Sequence, residues 1–209
     1  MPRVSRAQAE SHREAITEAS ARLFRERGIK AVSVADLMGA AGLTHGGFYG
    51  HFESKDALAG VAGERAFTQA TERWRKRVAG KATPAEARAA IVEGYLRPQS
   101  IRDVANGCPT AALCVDVARE PAEAPIRAAY VAGLADMVDI LAAAENTGDA
   151  AADRRAALAD YATMLGAMLM ARATAGRPIS DEIVAAARER LLPPASPVVP
   201  SRARRASRA

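Results

Sequence analysis

Apolar residues recur at helical spacing along most of the chain. From Ala15 onward, Ile16, Ala19, Leu23 and Phe24 fall at i, i+3, i+7 and i+8, the face of an amphipathic helix. Gly28 then stands where a helix C-cap glycine belongs. Ser33-Val34-Ala35-Asp36 reads as a capping-box-like start, continued by Leu37 and Ala40–Ala41 and ended by Gly42 after about two turns. Thr44 can cap a further short helix carrying Phe48 and Tyr49, and Ser54 a longer one from Lys55 to near Val78. Thr83-Pro84-Ala85-Glu86 supplies a capping Thr, a first-position Pro and an acid three residues after the cap. Gly107-Cys108-Pro109 turns into a helix ending near Arg119, and Pro121 and Pro125 frame the next break. Three apolar stripes follow: Ile126 through Tyr130, Leu134, Met137, Val138 and Leu141; Leu158, Tyr161, Leu165 and Leu169; and Ile179, Ile183, Val184 and Leu191, the last with Ser180 as its expected cap. The spacing predicts an all-α chain of about nine helices.

Composition agrees with that pattern. Residues are 49% hydrophobic and 25% charged, enough for a sizeable core, and aromatics are only 4%. The net charge of +5 changes the picture less than it first suggests. Residues 1–60 hold 8 basic and 7 acidic side chains, and residues 61–192 hold 17 of each. The excess is mainly Arg202, Arg204, Arg205 and Arg208 in a Pro-, Ser- and Arg-rich tail, 193–209, that is expected to be disordered. Basicity alone is therefore no argument that the folded part binds nucleic acid. No apolar run approaches the ~18 residues a membrane span needs, and the N-terminus lacks a signal-peptide core, so a cytoplasmic location is expected.

The arrangement of residues 1–55 is more informative. Two short helices joined through a Gly-containing turn and packed on a longer first helix form the layout of a helix-turn-helix, which sets a recognition helix in the DNA major groove. Ile16, Leu23, Phe24, Val34, Leu37, Leu43, Phe48 and Phe52 supply the core such a unit needs; an ordinary helical hairpin is the alternative on spacing alone. Phe24, Gly28, Ser33-Val34, Leu37, Ala41-Gly42-Leu43-Thr44, Gly46, Phe48-Tyr49, His51-Phe52 and Lys55 together resemble the tetracycline-repressor-like (TetR) family of bacterial regulators, over about residues 12–58. The Gly107-to-Leu113 segment is similar to a sub-branch of that family.

The resemblance implies a function and roles for particular residues. Ser33 begins the helix ahead of the recognition helix, where its amide and hydroxyl meet a phosphate. Thr44 caps the recognition helix, and His45, Gly46 and Gly47 lie against base edges. Tyr49, His51 and Lys55 face the sugar-phosphate backbone. Gly47 departs from the family, which often has a side chain capable of contact there; beside Gly46 it leaves few groups to read bases, so readout would lean on His45 and DNA shape. Tyr49 as packing, His51 as a loop-orienting residue and Lys55 as a solvated lysine are the structural alternatives.

Residues 56–192 are expected to form a helical ligand-binding and dimerisation body. A homodimer through helices ~153–174 and ~179–192 is expected, because one module is a small footprint and paired half-sites need a symmetric reader. Trp74, Tyr95, Leu113, Tyr130, Met137 and Met164 are candidates for a pocket holding an unidentified small-molecule effector, or else plain core. Cys108 and Cys114 form no disulfide framework. They are either small packed apolar residues or thiols sensing oxidants or electrophiles, which makes a thiol-responsive repressor the alternative function. An enzyme is not expected: His12, His45 and His51 all lie in the first unit, no metal-protease, phosphate-loop or Ser/His/Asp grouping occurs, and His45 and His51, six apart, do not suit a metal. No cofactor, metal or membrane partner is expected; double-stranded operator DNA is.

Overall fold

Residues 5–192 are described in a computed structural model, and the basic tail 193–209 lies outside them. Among the described residues there are nine α-helices and one 3-10 helix, and no strand. The order is α1 (Arg6–Arg27), α2 (Val34–Ala40), the 3-10 helix (His45–Gly50), α3 (Lys55–Val78), α4 (Pro84–Tyr95), α5 (Pro98–Arg102), α6 (Pro109–Ala118), α7 (Pro125–Ala143), α8 (Ala150–Ala173) and α9 (Pro178–Leu191). None is long and apolar enough to cross a membrane.

Local chemistry sets most of the boundaries. Ser5, Ser54 and Thr83 accept from the backbone N–H three residues on, at 3.2, 3.0 and 3.2 Å. Helix α2 stops in a Schellman turn: Leu43 N–H donates to the Met38 carbonyl at 2.8 Å and Gly42 N–H to that of Gly39 at 3.0 Å. This turn places Gly42 at φ +72°, the left-handed region that glycine tolerates. Ser180 does not cap α9; Arg177 stands at that position with Pro178 next, and the Ser180 hydroxyl bonds back to the Ala171 carbonyl at 3.0 Å. Short α5 was not expected, because Pro98 opens a helix that has only five residues and no apolar period.

Two apolar cores share α3. The first joins α1, α2, Phe48 and Phe52 to Leu58, Ala59, Ala62 and Ala66 of α3, with Leu113, Val117 and Ile126 from the body; it continues past residue 55. Expected core residues Val34 and Leu43 are only partly buried at its rim. The second begins with Phe67, Ala70 and Trp74 and gathers α4, α7, α8 and α9. Helices α3 and α7 meet at close range because two glycines remove side chains between them. A Cβ on Gly63 would lie 2.5 Å from Ile126 Cδ1, and one on Gly133 would lie 2.1 Å from Phe67 Cγ.

Helix α8 differs from its predicted single stripe. Tyr161 turns inward with Ala157, Met164, Ala167, Met168 and Ala171, whereas Leu158 and Leu169 are 47% and 37% exposed. The helix carries apolar residues on two sides, and the small alanines let it pack the inner one tightly against the monomer.

Because the interior around Phe67 has no slack, Gly133→Ala should destabilise the protein by about 1–3 kcal/mol through overpacking. Urea unfolding at fixed protein concentration measures it; an unchanged midpoint would contradict the tight α3–α7 contact.

Candidate nucleic-acid interface

The segment from Thr44 to Tyr49 stands on the surface of the first unit, held by one buried side chain, Phe48. The Phe48 ring packs 6.0 Å from Phe52 and 5.2 Å, edge-on, from Tyr49, whose own side chain is 71% exposed. The expected short α-helix here is a 3-10 helix, His45–Gly50. Three glycines in six residues lower α-helical propensity by roughly 1 kcal/mol each relative to Ala, which leaves the tighter 3-10 form, common in short segments, as the one adopted. The outer side is open: a Cβ on Gly46 would meet nothing within 4 Å, and one on Gly47 only Met38 Cε at 3.6 Å.

Other expected contact residues have mixed placements. Thr44 is at the N-cap and exposed, yet its side chain makes no capping bond, so the expected cap is missing and its hydroxyl is free. Ser33 corrects the expectation more sharply. Its amide donates to Asp36 Oδ2 at 2.8 Å, its hydroxyl donates to the same oxygen at 2.5 Å, and Asp36 N–H returns a bond to Ser33 Oγ at 3.1 Å. The capping box has consumed the donors that the resemblance assigned to a phosphate. The bonds from Ser33 also hold the Asp36 carboxyl below the usual carboxylate range.

Lys55 opens α3 and is half-buried, in the first turn where the helix dipole disfavours a cation. His51 is half-buried, with its ring 5.9 Å from that of His12. Its carbonyl accepts from Arg13 Nη1, and the Arg13 guanidinium lies 4.2 Å from the Phe52 ring centroid. Arg13 and His12 thus brace the loop that carries His51. Sequence reasoning missed both, since they sit on the polar face of α1 and reach a loop 38 residues away.

The first unit is also tied to the body. Ile29 N–H donates to Asp116 Oδ2 of α6 at 2.7 Å, and Lys30 pairs with Glu120 at 3.1 Å. Buried Arg25 of α1 donates to the Ala105 carbonyl at 2.6 Å and to Gln69 Oε1 of α3 at 3.2 Å. Burial, then the neighbouring Arg73, lowers its pKa to about 10.

At the other end of α6 lies a cavity of about 180 Å3 between α3, α4, α7, α8 and the α5–α6 loop. Of the expected pocket residues it brings together Trp74, Tyr95 and Met137, with Cys108 on the same wall. Leu113 belongs instead to the first core, and Tyr130 and Met164 to the packed interior beside the cavity. Cys108 is buried with its Sγ 3.5 Å from Tyr161 Oη, and Cys114 is half-buried; both are free thiols.

A family model described as bacterial regulatory proteins, tetR family, matches residues 16–61, the helices and turn just described. Residues 16–61 thus form a tetR-type unit. A TetR transcriptional regulator from Chloroflexus aurantiacus is 26% identical with a TM-score of 0.73, covering 88% of this chain and 94% of that one. The regulator FadR from Bacillus subtilis, in complex with stearoyl-CoA, is similar in fold at 16% identity and a TM-score of 0.62, over 86% of this chain and 97% of its own. The repressor KstR2 of Rhodococcus jostii is 41% identical over 46 residues, 22% of this chain and 22% of KstR2. The chain therefore matches under a quarter of that relative's length. The family model that matches the tetR-type unit describes bacterial regulatory proteins.

The capping box of this tetR-type unit makes stability depend on pH. Asp36 is depressed in the folded state, so its contribution is complete above the unfolded carboxyl value of about 3.9 and is lost as pH falls through the lower folded value. Ser33→Ala should lower the melting temperature near pH 7, and its deficit against wild type should shrink below about pH 4. A deficit constant down to pH 2 would exclude the Ser33–Asp36 bonds as its origin.

Proposed function

We propose that the chain is a sequence-specific DNA-binding transcriptional repressor, active as a homodimer and released from its operator by a small molecule. The observation that carries this reading is the exposed segment Thr44–Tyr49, anchored only through Phe48 and bare of side chains at Gly46 and Gly47. Such a surface lets backbone approach a groove closely, while Tyr49, Thr44 and Lys55 around it suit phosphate contact. His45 is the main side chain available for base edges, so specificity rests on it together with DNA shape. The name of the KstR2 relative supports repression.

The dimer is supported by the outer side of α8. Leu158, Ala162, Leu165, Leu169 and Ala173 follow one another at helical spacing, and a Cβ on Gly166 would meet nothing within 4 Å. With Ile179 of α9, 51% exposed, they form an apolar face suited to a four-helix contact with a second copy. Effector release is supported by α6, which has the cavity at its Cys108 end and the Asp116 bond to Ile29 near the other. A ligand acts only if it favours the arrangement that fits the operator poorly.

Binding of the purified protein to a randomised DNA pool, followed by gel shifts on the selected sequence, tests the reading. Wild type should bind tightly and lose affinity steeply with salt. Tyr49→Ala and Lys55→Ala should each weaken binding several-fold or more, and Gly46→Ala should do so while leaving stability unchanged or slightly raised. Leu169→Glu should sediment as a monomer and bind weakly. A folded dimer that selects no sequence would sink the proposal.

A thiol response at Cys108 is the second reading, supported by its position on the cavity wall. It requires that a quinone or peroxide releases DNA from wild type but not from Cys108→Ser; equal release from both retires it.

A further inference from the structure

The cavity beside α6 has two unlike parts. Its floor is apolar and aromatic: Trp74 packs edge-on against Tyr95 at 6.0 Å, with Met137 and Met168 beside them. Its upper wall carries three arginines, Arg73, Arg77 and Arg97. Among the described residues no carboxylate lies within ion-pair distance of any of them. The one acid on the wall, Asp103, is turned to Asn106, accepting from its backbone at 3.0 Å and its side chain at 3.1 Å. Burial, then repulsion from Arg97 and Arg73, lowers the pKa of Arg77. Its guanidinium is seated on Gly94, where a Cβ would come within 2.6 Å of Arg77 Nε. Three like charges gathered in a half-enclosed site, with a single carboxylate on the wall and no ion pair to it, oppose folding and favour a ligand that brings further negative charge.

Tyr95 gives an independent observation. It is 3% exposed, lines the cavity, and its hydroxyl is the buried side-chain oxygen without a hydrogen-bond partner among the described residues. An unpaired buried hydroxyl costs roughly 1–3 kcal/mol, so a group that persists there invites a polar atom not belonging to the protein. Size narrows the choice: an apolar cavity of about 150 Å3 holds benzene, and this one, at about 180 Å3, has room for a ring and one acid group.

We propose that this cavity binds a compact aromatic carboxylate, its acid group on Arg77 and Arg97, its ring on Trp74, and a second oxygen within reach of the Tyr95 hydroxyl. The proposal rests on the effector reading above and gives that effector a chemical class. Planar guanidinium matches carboxylate in two parallel hydrogen bonds, whereas a neutral aromatic would leave the arginines uncompensated.

Trp74 is the single tryptophan of the chain, so its fluorescence reports on the cavity directly. Titrations with salicylate, benzoate, benzyl alcohol and inorganic phosphate, repeated by calorimetry, test the class. Salicylate and benzoate should bind saturably with heat and a change in Trp74 emission, and benzyl alcohol and phosphate at least about tenfold more weakly. Arg77→Gln should weaken salicylate by about tenfold or more without lowering the melting temperature. Tyr95→Phe should weaken salicylate yet raise the melting temperature of the free protein, a pair of opposite shifts that a purely structural tyrosine would not give. Benzyl alcohol binding as well as benzoate, no carboxylate binding at millimolar concentration, or unaltered affinity in Arg77→Gln overturns the inference. Gel shifts separate the two levels. Neutral aromatics that release DNA while carboxylates do not bind would defeat the ligand class and leave the effector reading standing. Carboxylates that bind without releasing DNA would leave the site standing and defeat the effector reading.

Discussion

The close contact between α3 and α7 is the constraint on which the remaining geometry depends. Helix α3 belongs to two cores at once: residues up to Ala66 close the helix-turn-helix unit, and residues from Phe67 onward build the body. Its position is fixed where Gly63 and Gly133 let the two backbones approach until side chains interlock. Interiors packed this densely transmit displacement rather than absorb it. What happens around Trp74 and what happens around Lys55 are therefore mechanically joined by a single element.

Polar bonds join the same two parts by a second route. Asp116 and Glu120 hold the turn after α1, and Arg25 reaches from α1 to α3 and to the loop ahead of α6. Because Arg25 is buried and its pKa depressed, its bonds to Ala105 and Gln69 are made in a low-dielectric setting, where loss of a partner is costly. The helix-turn-helix unit is accordingly not a loosely tethered module. The tetR-type N-terminus and the body share an apolar core, an α-helix and a set of partly buried bonds.

Much of this was legible in the sequence where the interactions are local. Capping residues Ser54 and Thr83, the Gly42 turn, and the buried set Ile16, Leu23, Phe24, Leu37, Phe48 and Phe52 all follow from spacing within a few residues. The 3-10 form of His45–Gly50 could have been read from its three glycines, since the loss of helix propensity was visible. The Ser33–Asp36 box was legible too, and it implies that a serine capping its own helix has its donors already engaged. Other features were out of reach because they join distant positions. Asp116 meets Ile29 across 87 residues, and Arg13 meets His51 across 38. The gathering of Arg73, Arg77 and Arg97 over an aromatic floor depends on how α3 lies against α4. The inward turn of Tyr161 and outward turn of Leu158 depend on which side of an apolar α8 the monomer fills first.

The length of α3 carries one more implication. It has 24 residues, which at 1.5 Å of rise each makes a rod of about 36 Å. A tilt of about 5° carries one end of such a rod roughly 3 Å relative to the other, close to the 3.4 Å step between stacked base pairs. In the proposed symmetric dimer the two displacements would add. A tilt of that size would thus shift the two proposed DNA-contacting units relative to each other by more than one base-pair step.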